Sequence, residues 1–162
     1  MTLLEGASRT LTGTVQPSDA DQTLIWTSSD EKVAVWEDGM VVAKGYGTAD
    51  ITATAVNGVK ASCKVTVNPT APKFVKDFPE TATAKVGEAF SIQATIDRTD
   101  CNWELTKDGE VIDSESFGGD FYIKSIAEVA ESDAGVYKLK ATVKDTNVST
   151  ESAEMTLTVT TE

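Results

Sequence analysis

Short stretches in which apolar and polar residues alternate recur along the whole chain, and turn residues separate them at regular spacing. Residues 51–55, 63–67 and 90–96 each place every second side chain on one apolar face, which is the period of a half-buried β-strand. Asp38-Gly39 between apolar runs is a strong hairpin signal, and Asn57-Gly58 marks another turn. The sequence therefore predicts an all-β fold of antiparallel sandwiches rather than βαβ units.

The chain length indicates two domains. Its 162 residues are too many for one seven-stranded sandwich of roughly 100 residues and fit two compact ones. Residues 68–72 read Asn-Pro-Thr-Ala-Pro, and the two prolines limit backbone freedom. We therefore expect a first domain over residues 1–68, a short linker over 69–72 and a second domain over 73–162.

The second half carries a motif that resembles the intermediate-set immunoglobulin domain over about residues 73–160. The motif is Asp-Ala-Gly-Val-Tyr, ending at Tyr137, and Trp103 lies upstream. The resemblance implies that Trp103 is the buried tryptophan, that Tyr137 forms a tyrosine corner, and that the two bridge positions fall on Ala94 and Leu139. Because both bridge positions are apolar, we expect this sandwich to hold without its usual disulfide.

Three motif blocks in the first half resemble the bacterial Ig-like group 2 domain over about residues 3–68. The blocks are residues 26–35, with Trp-Thr-Ser-Ser-Asp and then Val-Ala-Val, residues 39–42 and residues 47–53. This resemblance implies a structural or adhesive module without catalytic residues. Together the two resemblances predict two tandem immunoglobulin-like antiparallel β-sandwiches joined by a short Pro-containing linker.

Cysteine usage and the first residues suggest where the protein is made. Cys63 and Cys101 fall in different predicted domains, so neither domain can hold an internal disulfide, and a reducing compartment fits best. Residues 1–5 lack the features of a secretory signal, and no apolar run is long enough to span a membrane. If Met1 is the native start, we expect synthesis in the cytoplasm and no membrane insertion.

The charge of the chain argues against two classes of partner. Residues 1–68 hold five basic and eight acidic residues, a net −3, and residues 69–162 hold nine and eighteen, a net −9, which together restore the net −12. An excess of this sign repels phosphate backbones. Nucleic acid and anionic membrane surfaces are therefore poor partners, and solubility is the favoured explanation of the acidity.

The residues needed for catalysis are largely missing from the sequence. There is no histidine, so the usual general base and the usual zinc ligand are absent. Two cysteines in separate domains cannot build a thiolate metal site within either one. Acidic pairs such as Glu37-Asp38 fall in predicted turns, where carboxylates are ordinarily solvated. We expect no enzyme activity, no catalytic residue, no cofactor and no metal.

Aromatic residues are divided between the core and one candidate contact. Trp26 and Trp103 fall on inward parity and Trp36 takes an apolar core position, so core packing is favoured for all three. Tyr46 lies between two glycines and is the one aromatic side chain that the pattern does not place inside. It is the candidate glycan contact.

A candidate docking surface follows from the same parity. If Trp26 points into the core, Ile25 points outward, and Met40 and Val42 point outward by the same argument. With Val35 beside them, these residues predict an apolar stripe on one sheet of the first domain. The alternative is that they are scattered apolar residues of an ordinary solvated sheet.

The chain resembles the Ig-like head-decoration proteins of tailed bacteriophages. That resemblance implies a virion accessory protein on the particle surface, which binds the major capsid protein or another virion protein and touches host-surface glycans weakly. One alternative is a spacer fragment of a phage tail protein or a bacterial surface adhesin, located on the cell surface. A second is a carbohydrate-binding appendage of a glycoside hydrolase.

Overall fold

The computed structural model describes residues 1–116 and 118–161, and within these residues the chain forms sixteen β-strands and one short 3-10 turn. It divides into two compact units, Met1–Thr70 and Ala71–Glu162, and the predicted linker straddles this division. The predicted all-β fold class is confirmed. None of the described helical residues forms a segment long and apolar enough to cross a bilayer.

The first unit is a sandwich of a four-stranded and a three-stranded sheet. The larger sheet has the order β1-β7-β6-β3 and the smaller one β2-β5-β4. Their bounds are β1 Thr2–Leu4, β2 Ser8–Thr10, β3 Leu24–Ser28, β4 Ala34–Glu37, β5 Met40–Ala43, β6 Gly47–Ala55 and β7 Lys60–Asn68.

The hairpin between β4 and β5 turns at the predicted dipeptide. Asp38 has a φ of 49° and Gly39 a φ of 83°, so both central residues adopt the left-handed conformation that a tight two-residue turn needs. The turn brings Val35 opposite Val42 and Glu37 opposite Met40.

Small aliphatic residues fill the core between the two sheets of the first unit. Because several of them are alanines, the core is completed by larger side chains at its margin, including Trp26 and Trp36. The buried members are Val33, Ala34, Val41, Ala43, Ala49, Ile51, Val65 and Val67.

The second unit is a sandwich with the sheet orders β13-β10-β8 and β12-β11-β14-β16-β9, and β15 pairs with β14. The 3-10 turn spans Glu131–Asp133. The strands are β8 Phe74–Lys76, β9 Thr81–Lys85, β10 Phe90–Ile96, β11 Cys101–Lys107, β12 Glu110–Glu115, β13 Phe121–Ile126, β14 Gly135–Val143, β15 Ser149–Glu151 and β16 Met155–Thr160.

Within residues 1–116 and 118–161, each unit contains one parallel pair of strands in an otherwise antiparallel sandwich. β1 runs parallel to β7, with Thr2 opposite Thr66, and β9 runs parallel to β16, with Thr81 opposite Thr156. In both units an early strand lies along the last strand of the unit. Alternation within a strand carries no information about this pairing, because the paired residues lie far apart in the sequence.

The positions matched to the missing disulfide are packed with apolar side chains. Ala94 on β10 and Leu139 on β14 lie in opposite sheets and are completely buried, and Trp103 is 1% exposed. Tyr137 donates its hydroxyl hydrogen to the Asp133 carbonyl at 2.7 Å, which is the contact of a tyrosine corner. Burial raises the pKa of Tyr137 to about 12, so the hydroxyl keeps the hydrogen it donates.

Candidate functional site

Three of the four predicted docking residues share the outer face of the smaller sheet in the first unit. Val35 on β4 lies opposite Val42 on β5, and Met40 lies two residues before Val42 on the same face. Met40 is 39% exposed, and the two valines are half-buried. We call the surface formed by Val35, Met40 and Val42 the β4–β5 face. Ser8 and Thr10 of β2 flank it, opposite Val42 and Met40.

Ile25 does not belong to this face. It lies on β3 in the larger sheet, opposite Thr54 of β6, and is 64% exposed. The expectation of one stripe on a single sheet is therefore corrected. Parity predicts whether a side chain points inward or outward, but it does not predict which of the two sheets a strand joins.

Tyr46, the predicted glycan contact, is held by its backbone. Its N–H donates to Glu5 Oε1 at 3.2 Å, while Glu5 Oε2 accepts a hydrogen bond from the Thr70 N–H at 3.0 Å. One carboxylate thus joins the beginning, the middle and the end of the first unit. Tyr46 is half-buried as a whole residue.

Trp26 and Trp36 form a stacked pair at the margin of the first core. Their ring centroids lie 4.8 Å apart and their planes differ by 5°. Trp36 Nε1 donates to the Leu11 carbonyl at 2.8 Å. Both rings pack against the core and are half-buried rather than fully enclosed, in contrast to Trp103 of the second unit.

Sequence reasoning missed an apolar groove in the first unit. The groove has two adjoining parts, of about 310 and 160 Å³, which share Gly13, Ala53 and Ala61. It lies between the chain segment that precedes β3 and the strands β6 and β7. The one signal of the groove in the sequence is Gly13. A Cβ at this position would come within 2.6 Å of Leu24 Cδ1, so glycine allows the segment to approach β3 closely.

The titratable groups of the described residues form no metal-binding cluster, and one thiol among them is buried. No group of three or more histidine, cysteine, aspartate or glutamate residues in residues 1–116 and 118–161 could hold a metal ion. Burial, reinforced by the charge of Asp100, raises the pKa of Cys101 to about 11. Its thiol is therefore neutral at ordinary pH and is a poor nucleophile.

One polar cluster lies within the second sandwich. The Tyr122 hydroxyl donates to Asp113 Oδ2 at 2.8 Å, and Lys124 Nζ lies 3.2 Å from the same oxygen. These contacts lower the pKa of Asp113, the tyrosine hydrogen bond most strongly. Burial raises the pKa of Tyr122 far above its usual range. The Tyr122 hydroxyl is the donor and the Asp113 carboxylate is the acceptor, and neither group gains or loses a proton near neutral pH.

These observations define a class of protein: a tandem of immunoglobulin-like sandwiches whose second unit has an apolar pair in place of the bridge. Comparison with known families makes the first unit more specific. Residues 1–67 match the family model of the bacterial Ig-like domain (group 2), so the first unit is a domain of that kind.

Curated relatives share a segment about as long as that domain. The chain is 76% identical over 68 residues to the minor capsid protein of Enterobacteria phage T3, and this matched segment covers 42% of this chain. It is 47% identical over 68 residues, 41% of this chain, to a lacto-N-biosidase of Bifidobacterium bifidum. It is 51% identical over 72 residues, 43% of this chain, to an alpha-L-arabinofuranosidase of Bifidobacterium longum.

The chain spans only a small part of these relatives, namely 16%, 6% and 7% of their lengths in the same order. Among solved structures, an I-band fragment of titin superposes with a TM-score of 0.53 at 19% identity, covering 98% of this chain and 62% of that one. At this identity the likeness concerns the fold of immunoglobulin-like domains and nothing further.

Proposed function

We propose that this protein is a structural component of a bacteriophage particle and has no catalytic role. The observation that carries the proposal is the 76% identity over 68 residues to the minor capsid protein of phage T3. The two glycosidases match at lower identity. The burial of Cys101 and the Tyr122–Asp113 pair supports a non-enzymatic role, because neither group is poised for nucleophilic or acid–base chemistry.

Within the particle, the protein decorates the outside of the head and binds the major capsid protein or another virion protein. Two features support this role. Each unit has its own packed core and a single free cysteine, so it needs no oxidising compartment to fold. The net charge of −12 keeps many copies crowded on one surface from associating with each other.

The β4–β5 face is the proposed attachment surface. An apolar centre with a polar border is the usual anatomy of a protein interface, and Val35, Met40 and Val42 supply such a centre beside Ser8 and Thr10. The face lies in the first unit, whose net charge is closer to zero than that of the second. Docking of this unit onto a negatively charged partner surface would therefore meet less electrostatic repulsion than docking of the second unit.

The test is cosedimentation of the purified protein with phage capsids that lack it. Changing Met40 and Val42 together to lysine should abolish cosedimentation, because two charges would enter an apolar contact. Ile25→Lys is the matched control, since it adds a charge to an exposed β-branched residue of the other sheet. Circular dichroism and thermal unfolding check that each variant is folded.

The outcomes test the proposed function and the proposed attachment surface separately. If wild-type protein fails to cosediment with any virion component, the proposed function is wrong. If the double variant binds as well as wild type, or if Ile25→Lys alone abolishes binding, the β4–β5 face is not the attachment surface.

A second candidate function is a glycan-binding module, and the named glycosidase relatives favour it. The proposed contact is the half-buried Tyr46, since aromatic rings stack on sugar faces. Binding on a glycan array that Tyr46→Ala abolishes and Tyr46→Phe retains would support this function. Array binding unaffected by Tyr46→Ala would remove Tyr46 from the proposal.

A further inference from the structure

The strand β13 of the second unit pairs with another strand on one side only. β10 pairs with it from Phe121 to Ile126, and β13 lies at the end of the sheet order β13-β10-β8. No strand among the described residues pairs with its other side. The neighbouring segments in the chain lie elsewhere, because β12 belongs to the other sheet and the 3-10 turn contacts β16. An open strand edge is a template for another strand.

The register of β13 on β10 decides which backbone groups face the open edge. The Ile96 N–H donates to the Asp120 carbonyl at 2.9 Å, and hydrogen-bonded pairs alternate along an antiparallel ladder. The bonds to β10 therefore use residues 120, 122 and 124. The N–H and C=O groups of Phe121, Ile123 and Ser125 point away from β10. They offer a regular row of donors and acceptors to an incoming strand.

The edge strand of the opposite sheet, β12, is less suited to accept a strand. It has a bulge at Ile112, between the pairs Leu105–Asp113 and Thr106–Val111. A bulge interrupts the row of backbone groups and is a common protection of edge strands. β13 pairs with β10 without any register shift. Of the two edges on this side of the sandwich, β13 is therefore the one that can accept a strand.

The outer face of β13 favours apolar side chains in an added strand. Phe121 is 43% exposed and Ile123 is 44% exposed, and both lie on the face opposite to the buried Tyr122. Neighbouring strands place their side chains in contact on each face of a sheet. Alternate residues of an added strand would pack against Phe121 and Ile123 and remove their apolar surface from water.

The inner face beside β13 presents carboxylates. Asp113 and Glu115 of β12 lie opposite the buried Leu105 and Trp103 of β11, so their side chains point towards the inner face of that sheet. Asp113 Oδ2 accepts the hydrogen bond from the Tyr122 hydroxyl at 2.8 Å, which places β12 directly across from β13. The inward side chains of a strand added to β13 would therefore meet acidic residues.

The balance of charge at this edge selects a basic occupant. Asp120, the residue before β13, is exposed and adds a third carboxylate to those of Asp113 and Glu115. Lys124 is the one basic residue in β12 and β13. Its Nζ lies 3.2 Å from Asp113 Oδ2, so it balances that carboxylate, and the other two leave the edge negative. Lysine or arginine side chains in the added strand would be attracted to it.

A second copy of this chain is a poorer occupant. Antiparallel pairing of two β13 strands centred on Tyr122 would place Asp120 of each copy opposite Lys124 of the other. It would also bring the two β12 strands together, because Tyr122 contacts Asp113 across the sandwich. Each β12 holds three carboxylates and no basic residue, so the two copies would repel each other there.

We propose that the open edge of β13 binds an extended segment of another protein as an added β-strand, and that this segment alternates apolar residues with basic ones. Main-chain hydrogen bonds provide the affinity in this mode of recognition, and the alternate side chains provide the specificity. The site lies in the second unit and is separate from the β4–β5 face of the first. The inference does not depend on the proposed function.

The probe is a synthetic peptide of about nine residues, ample for a typical strand, which alternates valine with lysine and has blocked ends. Titration into the full chain should shift the amide resonances of Ile123 and Ser125 and slow their hydrogen exchange, while the amide of Met40 stays unchanged. A matched peptide that alternates valine with glutamate should bind at least about tenfold more weakly, because it places like charges together.

Ile123→Pro tests the open edge directly. Proline removes the N–H that faces the edge, and edge strands tolerate proline at such a position. We expect the valine–lysine peptide to bind at least about tenfold more weakly to Ile123→Pro. Ile123→Val keeps both the N–H and a β-branched side chain, and it should bind as wild type does. Thermal unfolding of both variants shows whether the fold is intact.

Charge reversal is an independent test that does not alter the backbone. Glu115→Lys combined with Asp120→Lys should reverse the preference, so that the valine–glutamate peptide binds more tightly. The control combines Glu80→Lys with Glu154→Lys, which makes the same change of net charge at exposed positions before β9 and β16. This control should keep the preference for the valine–lysine peptide. If Ile123→Pro does not fold, the charge reversal decides the question alone.

Several results would overturn the proposal. They are undetectable binding of the valine–lysine peptide at millimolar concentration, equal binding to folded Ile123→Pro, and resonance shifts confined to residues away from β13. Self-association of the full chain that Ile123→Pro abolishes would identify a second copy as the occupant and would reject the basic segment.

Discussion

At the scale of single residues, polar side chains join the two sheets of the second unit. Tyr122 lies on β13 and Asp113 on β12, which belong to different sheets, so their hydrogen bond at 2.8 Å links the layers. Tyr122 is completely buried, and a buried hydroxyl without a hydrogen-bond partner would lower the free energy of unfolding. The hydrogen bond therefore belongs to the packing of this core, together with the apolar pair Ala94 and Leu139.

The sequence could predict only some of these residues. The motif that ends at Tyr137 indicates the tyrosine corner, and the resemblance to the intermediate-set domain implies the bridge positions Ala94 and Leu139. The Tyr122–Asp113 pair has no such signal. Its partners lie on strands whose assignment to opposite sheets depends on the whole unit.

Replacing Asp113 with asparagine should make stability depend less on pH. The folded pKa of Asp113 lies below its ordinary value of 3.8, so its charge stabilises the native state fully above that value. This stabilisation is lost as the pH falls through 3.8 towards the lowered folded pKa. We expect Asp113→Asn to be less stable than wild type by about 1 kcal/mol at neutral pH, with a smaller difference below pH 3.8. Urea unfolding at several pH values measures it.

Glu110→Gln, at an exposed position of the same strand, is the control for the pH dependence. A difference between wild type and Asp113→Asn that stays constant from neutral to acidic pH would contradict the assigned linkage. Tyr122→Phe in both backgrounds completes a double-mutant cycle, which isolates the hydrogen bond itself.

At the scale of elements, local alternation predicts the strands, and long-range pairing decides how they are arranged. The hairpin at Asp38-Gly39 forms as predicted, because its signal lies within a few residues. Ile25 lies in the larger sheet rather than beside Val35, Met40 and Val42 as the parity predicts. Sheet membership depends on long-range pairings such as that of Ile25 with Thr54, and no local pattern encodes these.

Gly39→Ala should destabilise the first unit by about 1 kcal/mol. Gly39 has a φ of 83°, and a Cβ there would have no neighbouring heavy atom within 4 Å, so the cost is the left-handed backbone conformation alone. Thermal unfolding of the full chain should show the loss in the first unit only. Asp38→Asn is the control, since asparagine tolerates the same conformation. A destabilisation of Asp38→Asn equal to that of Gly39→Ala would contradict this explanation.

At the scale of the whole molecule, the two units have separate cores and unequal charge. The first carries a bacterial Ig-like group 2 domain, and most of the net negative charge falls in the second. The motif blocks of the first half predict the group 2 domain, and the unequal charge follows directly from composition, which is a property of the whole chain rather than of a contact. We therefore expect each unit to fold on its own.

Separate expression of residues 1–70 and 71–162 should give two folded proteins. Each unit encloses its own buried residues, so each should unfold cooperatively, with a midpoint within a few degrees of its transition in the full chain. Reducing agent should leave both midpoints unchanged, because both cysteines are free. Calorimetry of the two pieces and the full chain measures this. An unfolded fragment would show that the units depend on each other.

The two thiols differ in accessibility, and this difference gives the native sequence a built-in attachment point. Cys101 is completely buried with a raised pKa, whereas Cys63 is half-buried at the groove. A maleimide dye added to the folded protein should therefore label Cys63 first, as peptide mass spectrometry would reveal. Such a fluorophore would report occupancy of the groove without any engineered mutation.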